Sequence, residues 1–154
     1  VFMGMGEPLN NYHAVIASVR GLRELWELNP ARITVSTVGV VNRIRSLAAD
    51  EPNVSLALSL HAATQETRKK LVPTASAYTM AKLLSAIDDY CEASGRAVLV
   101  EYILIRDVND SLDEARALGE LLSNRHVAVN CIPYNSTAAG DRFGYETPSN
   151  EQAR

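Results

Sequence analysis

The residue types that could do chemistry fall in five short clusters, each directly after an apolar run. The first, Met3-Gly4-Met5-Gly6-Glu7-Pro8-Leu9, combines two glycines, which let backbone groups approach a ligand closely, with a carboxylate suited to an ammonium group. It lacks the third glycine of a dinucleotide fingerprint, and its simplest alternative is a tight strand-to-helix turn. The second offers Ser36, Thr37 and Gly39, whose hydroxyls can hydrogen-bond a ribose or a carboxylate or, equally, cap a following helix. The third places His61 two residues after Ser59; a lone imidazole fits either a ligand contact or a satisfied structural role. Arg106, Asp107, Asn109 and Asp110 form the fourth, and Pro133, Tyr134 and Asn135 the fifth.

Other polar residues carry less information. Arg68-Lys69-Lys70 reads as the solvated end of a short helix, or as a phosphate-contacting patch on the rim of a site. Glu101 lies within an apolar run, so its carboxylate points into a polar interior or sits near a cation. Cys91 and Cys131 read as packed small hydrophobes with no chemistry of their own.

Clusters of this kind need rigid elements to hold them. Arg32 to Thr37, Val54 to Leu60, Val98 to Ile105 and Val127 to Ile132 are short runs rich in β-branched residues and read as strands buried on both faces, and Val1 to Met3 reads as the end of another. Between them, apolar residues recur three and four apart: Val15, Val19, Leu22 and Trp26; Val41, Ile44 and Leu47; Met80, Leu83, Leu84, Ile87 and Cys91; Leu112, Ala115, Leu118, Leu121 and Leu122. Ser111 with Glu114 signals the start of the last helix, and Asn29-Pro30 a stop after the first. Strands alternating with helices predict an α/β fold with a parallel sheet, open or closed into a barrel, and ligands then bind at the carboxyl ends of the strands, where the five clusters lie. Residues 1–154 read as one domain, with core units over 1–135 and a loop or frayed end over 136–154.

The 154 residues carry 15 Lys+Arg against 18 Asp+Glu, so any nucleic-acid contact must be local and not a global basic footprint. Two cysteines in no C-x-x-C arrangement argue against a disulfide framework or a cysteine zinc site and for a reducing, cytoplasmic setting. No apolar run approaches the roughly 18 residues of a membrane span. The chain opens on Val and closes on a polar stretch, so it is read as a piece of a longer protein.

Taken together and in order, G-M-G-E-P-L at 4 to 9, S-T-V-G at 36 to 39, S-L-H-A at 59 to 62, L-V-P at 71 to 73, E-Y at 101 to 102, V-N-D at 108 to 110 and I-P-Y-N at 132 to 135 closely resemble the radical S-adenosylmethionine RNA methyltransferases of the RlmN and Cfr type. The resemblance implies a partial parallel (β/α)6 barrel, of which the chain would be a central fragment truncated at both ends. It implies that Gly6 and Glu7 hold the methionine end of S-adenosylmethionine, and that Ser36, the triplet Ser59, Leu60 and His61, and Asn135 are further cofactor contacts. It also implies a full-length enzyme that methylates an adenine ring carbon, taken as carbon 2, in ribosomal RNA and transfer RNA, with a 4Fe-4S cluster and a reductant for it. The C-x-x-x-C-x-x-C cluster motif, the methyl-carrying cysteine and the proton acceptor of that family find no match here, so the fragment alone is expected to be inactive and to self-associate. Two rivals stand beside this reading: a non-catalytic S-adenosylmethionine-binding remnant, and an unrelated barrel enzyme such as an aldolase, which would want a lysine at a strand end.

Overall fold

A computed structural model describes residues 1–149. Four strands, β1 (Thr34–Thr37), β2 (Ser55–Ser59), β3 (Val98–Leu104) and β4 (Val127–Pro133), pair in chain order, all parallel. The opening segment adds a parallel bridge at the β1 edge: the Phe2 N–H donates to the Thr34 carbonyl at 2.8 Å, and the Ser36 N–H to the Phe2 carbonyl at 3.0 Å. The expected strand end at Val1 to Met3 is therefore present as a single bridge.

The helices are α1 (Tyr12–Trp26), α2 (Val41–Asp50), α3 (Gln65–Leu71), α4 (Met80–Ser94), α5 (Leu112–Leu122) and the single turn α6 (Ala138–Asp141), which lies in the segment read as loop. Their starts follow from capping hydroxyls: Thr64, Thr79 and Ser111 accept the N–H groups of Thr67, Lys82 and Glu114 and satisfy donors that a first turn leaves orphaned. Helix α1 stops before Asn29-Pro30, at a left-handed Glu27 (φ 49°), and Asn29 instead caps a 3-10 turn at Pro30–Arg32. Trp26 and Leu112, counted in the apolar stripes, are 77% and 76% exposed, because they fall in a last and a first turn beyond the reach of the sheet.

The sheet is two-faced, which the reading of strands buried on both sides missed. Val35, Leu56, Leu58, Val98, Val100 and Tyr102 join Val19, Ile44, Leu47, Leu83 and Ile87 in one helix-facing core. Successive strand residues point to opposite faces, so the alternate positions Ser36, Ala57, Ser59, Glu101 and Asn130 form a small and polar second face. β4 is exposed along most of its length, with Val129 at 42% and Cys131 open to solvent. Cys131 is thus not a packed residue, since no helix covers the outer side of β4 among the described residues.

The turn from β1 into α2 depends on Gly39, which holds φ at 104°, and a Cβ there would lie 2.7 Å from Leu83 Cδ1 on α4. Both the backbone and the space demand glycine. Gly39→Ala is expected to lower stability by about 2–3 kcal/mol, from strain of the positive φ and displacement of Leu83, read as a reduced midpoint in urea unfolding.

Candidate functional site

Strand register assembles the site. Ser59 pairs with Glu101 and Glu101 with Asn130, so one polar row crosses three strands, and Ile103 and Ile132 form the next row toward the carboxyl ends. These residues, with Ser36 and His61, line a cavity of about 320 Å³. A smaller pocket of about 90 Å³, lined by Gly6, Glu7 and Val38 among others, shares Met3, Ser36 and Ser59 with it, so the two are continuous. Five of the seven residues singled out in the sequence, Gly6, Glu7, Ser36, Ser59 and His61, therefore meet around one space.

Their roles differ. Glu7 accepts the Leu9 N–H at 2.9 Å through Oε1 and the Val38 N–H at 2.7 Å through Oε2, so its carboxylate both caps the following turn and ties the first loop to the loop after β1. Gly6 stands at φ 117° with open space where a Cβ would be, which leaves its backbone accessible. The two hydroxyls after β1 divide the tasks the sequence left open. Thr37 spends its hydroxyl oxygen on the N–H groups of Gly39 at 3.0 Å and Val40 at 3.4 Å, whereas Ser36 faces the cavity.

His61 is held in a left-handed conformation (φ 59°), with its Nδ1 accepting the Ile103 N–H at 3.2 Å and its carbonyl accepting from Asn109 Nδ2 at 2.8 Å. Burial first, and then the nearby charge of Arg68, hold the imidazole down to about 4, so the ring is neutral near pH 7. Because Nδ1 is an acceptor, the proton sits on Nε2, which makes the ring a hydrogen-bond donor. Leu60 contributes backbone only: its side chain is fully buried in the core, while its N–H donates to the Glu101 carbonyl at 3.1 Å. Asn135 is exposed on the loop beyond β4 and is not drawn into this cavity.

Four further contributors lie outside those seven residues. Glu101, 7% exposed, takes the polar-interior option: its Oε2 accepts from Asn130 Nδ2 at 2.8 Å, and no cation pairs with it among the described residues. The period-two alternation of Val127 to Ile132 carries the signal for Asn130. Asn109 is 1% exposed; its Nδ2 reaches the His61 and Ile103 carbonyls and its Oδ1 accepts the Ile105 N–H at 2.7 Å, so the loop after β2 is locked to the end of β3. Arg68 departs from both readings of the basic run, being 2% exposed and donating to backbone carbonyls inside the protein, whereas Lys69 and Lys70 stay exposed in the last turn of α3, as a solvated helix end requires.

Beside His61 and Ile103 opens a further cavity of about 260 Å³, walled by Leu71, Ile105, Tyr134, Phe143 and Tyr145. Phe143 stacks on Tyr145 at 5.7 Å between ring centroids, and Tyr134 meets Tyr145 edge-on at 6.2 Å. A flat, apolar ring suits such walls.

The imidazole makes the fold sensitive to acid in a definite direction. His61 is lowered in the folded state from 6.5 to about 4, so the unfolded chain binds the proton first and stability falls as pH drops through that window, by up to about 3 kcal/mol from this group. A histidine NMR titration should show one ring with a midpoint near 4, absent in His61→Gln, and a midpoint near 6.5 would contradict the geometry.

No family model matches the chain. The probable dual-specificity RNA methyltransferase RlmN of Thermotoga maritima is 45% identical over 144 residues, which covers 92% of this chain and 42% of that protein. Its counterpart in Moorella thermoacetica is 47% identical over 140 residues, covering 90% and 40% respectively. Among solved structures, a radical SAM methyltransferase from Sphaerobacter thermophilus superposes with a TM-score of 0.92 at 42% identity, over 98% of this chain and 44% of that one. A domain of pyruvate-formate lyase-activating enzyme from Bacteroides vulgatus matches with a TM-score of 0.69 at 19% identity, a likeness of fold alone. The chain spans about two-fifths of the length of the curated relatives it matches. Across that span, its sequence and its partial parallel barrel match those of RlmN-type radical SAM methyltransferases.

Proposed function

We propose that this chain forms the S-adenosylmethionine cradle of an enzyme that methylates a ring carbon of adenine, carbon 2, in ribosomal RNA and transfer RNA. The observation that carries the reading is the convergence of Ser36 and Ser59 on one cavity beside the Glu7 loop and His61. Neither serine hydroxyl meets a hydrogen-bond partner among the described residues, and Glu101 spends only Oε2 on Asn130. Polar groups left unsatisfied at a cavity wall favour a ligand that brings its own donors and acceptors. An aminoacyl nucleoside has both, and the donor set fits it.

In this reading Gly6 and the neighbouring carbonyls receive the ammonium end, with the Glu7 carboxylate close by to balance its charge. Ser36, Ser59 and Glu101 hold the hydroxyl-bearing middle. The neutral His61 donates through Nε2 without adding a charge that would repel a sulfonium. The aromatic wall of Tyr134, Phe143 and Tyr145 shields a flat ring from water. When bound, S-adenosylmethionine supplies the methyl group and the radical chemistry that an unactivated ring carbon requires.

A 4Fe-4S cluster does not fit the residues present. Cys91 is half-buried on α4, with its thiol directed at the His126 carbonyl, and Cys131 is exposed on β4; burial raises both thiols above their ordinary value. No group of metal-ligating side chains assembles among the described residues. Cluster ligands, methyl-carrying cysteine, reductant contacts and most of the RNA surface are assigned to parts of the relatives that this chain does not match. No helix among the described residues is long and apolar enough to cross a membrane. The proposed setting is the cytoplasm, with residues 1–154 acting as one unit of the catalytic core.

Equilibrium titration with S-adenosylmethionine tests the reading. Binding is expected, weakened about tenfold by Ser36→Ala or Ser59→Ala, as loss of one hydrogen bond to a polar ligand requires. Equal affinity in the folded double variant Ser36→Ala/Ser59→Ala would overturn it.

A further inference from the structure

Arg68 is the most deeply buried cation of the described chain, and it has no ion-pair partner there. Its Nη2 donates to the Val38 carbonyl at 2.5 Å and lies 3.4 Å from the Ser59 carbonyl, while its Nε is buried with no partner at all. Burial lowers the affinity of the guanidinium for its proton, the direction expected of an uncompensated interior charge. A stability role alone accounts poorly for such a group, because an apolar side chain of similar volume would remove the desolvation penalty.

The two carbonyls it holds lie at the carboxyl ends of β1 and β2, the strands that present the cavity hydroxyls. Val38 follows Ser36 and Thr37, and its own N–H is the one held by Glu7 Oε2 at 2.7 Å, so a carboxylate grips this residue from one side and a guanidinium from the other. Ser59 carries the second hydroxyl. Gly39 leaves room for the guanidinium, since a Cβ there would come within 3.4 Å of Nη2. The same charge bears on the His61 ring.

We propose that Arg68 is a positioning residue for ligand binding: it touches no ligand, but by clamping the Val38 and Ser59 carbonyls it sets the distance between the Ser36 and Ser59 hydroxyls and so governs affinity. The inference rests on the reading that this cavity takes S-adenosylmethionine. A lysine in its place offers a point charge able to hold one carbonyl well, and a methionine holds neither.

Arg96 provides the control. Its Nη2 donates to Ser55 Oγ at 3.0 Å at the opposite end of β2, and its Nε is likewise buried without a partner. Affinity for S-adenosylmethionine and melting temperature are measured on the whole chain for Arg68→Met, Arg68→Lys and Arg96→Met. Arg68→Met is expected to lose about tenfold or more in affinity, Arg68→Lys to recover part of it, and Arg96→Met to melt earlier with affinity unchanged. An Arg68→Met affinity within about twofold of the parent overturns the proposal, as does an equal loss in Arg96→Met. If Arg68→Met does not fold, Arg68→Lys decides by the same comparison with Arg96→Met. If the parent binds no S-adenosylmethionine, the ligand assignment falls separately. The clamp is then read from amide exchange at Gly39 and His61, where faster exchange in Arg68→Lys supports it and unchanged exchange overturns it.

Discussion

The structure depends on the parallel pairing of β2 with β3. That ladder places Ser59 beside Glu101, and because side chains alternate across a sheet, one register decides which face of every strand is apolar. A slip of β3 by a single residue would turn Val100 into the cavity and drive Glu101 into the helix-facing core. The register is held at its carboxyl end by backbone as well: the N–H groups of Leu60 and His61 both reach the Glu101 carbonyl. The buried carboxylate is tolerable there because Asn130, abreast of it on β4, donates to it.

Around this ladder, several of the most polar residues serve the chain itself. Glu7, Thr37 and Asn109 spend their side chains on backbone groups of neighbouring loops. The Glu7–Val38 and Asn109–His61 ties join segments far apart in sequence, so the loops at the strand ends form a connected rim, while Thr37 closes its own turn. The side chains left to face the cavity are the less conspicuous ones, two serines, an imidazole tied at one nitrogen, and half of a carboxylate. The division follows from geometry. Residues in tight turns lie within reach of unpaired backbone N–H groups, whereas residues on the strand interior have only the cavity before them.

Much of this was legible in the sequence, and the limits have physical causes. The four strands, the four helices α1, α2, α4 and α5 and the placing of Gly6, Glu7, Ser36, Ser59 and His61 at strand ends all follow from periodicity and strand polarity. The motif order pointed to the family that the relatives bear out. The two-sidedness of the sheet was hidden, since Ala57, Leu99, Ala128 and Ile103 on the cavity face are as apolar in type as the core residues beside them. Arg68 was misread because burial of a cation is decided by two carbonyls that are distant neighbours in sequence. Asn109 and Asn130 could be seen only once the register was known, as their partners lie on other strands. The exposure of Cys131 likewise depends on what covers β4, which local pattern does not encode.

The contrast between the two faces of the sheet has a thermodynamic corollary. The helix-facing side is closed by its own residues, but the polar side encloses space in place of packed side chains, so a molecule held there supplies contacts that the polypeptide lacks. Whatever binds only the folded form stabilises it in proportion to the logarithm of its concentration. A ligand of that cavity would therefore make the folded chain more resistant to unfolding as its concentration rises, while the helix-facing core would keep the same packing with or without it.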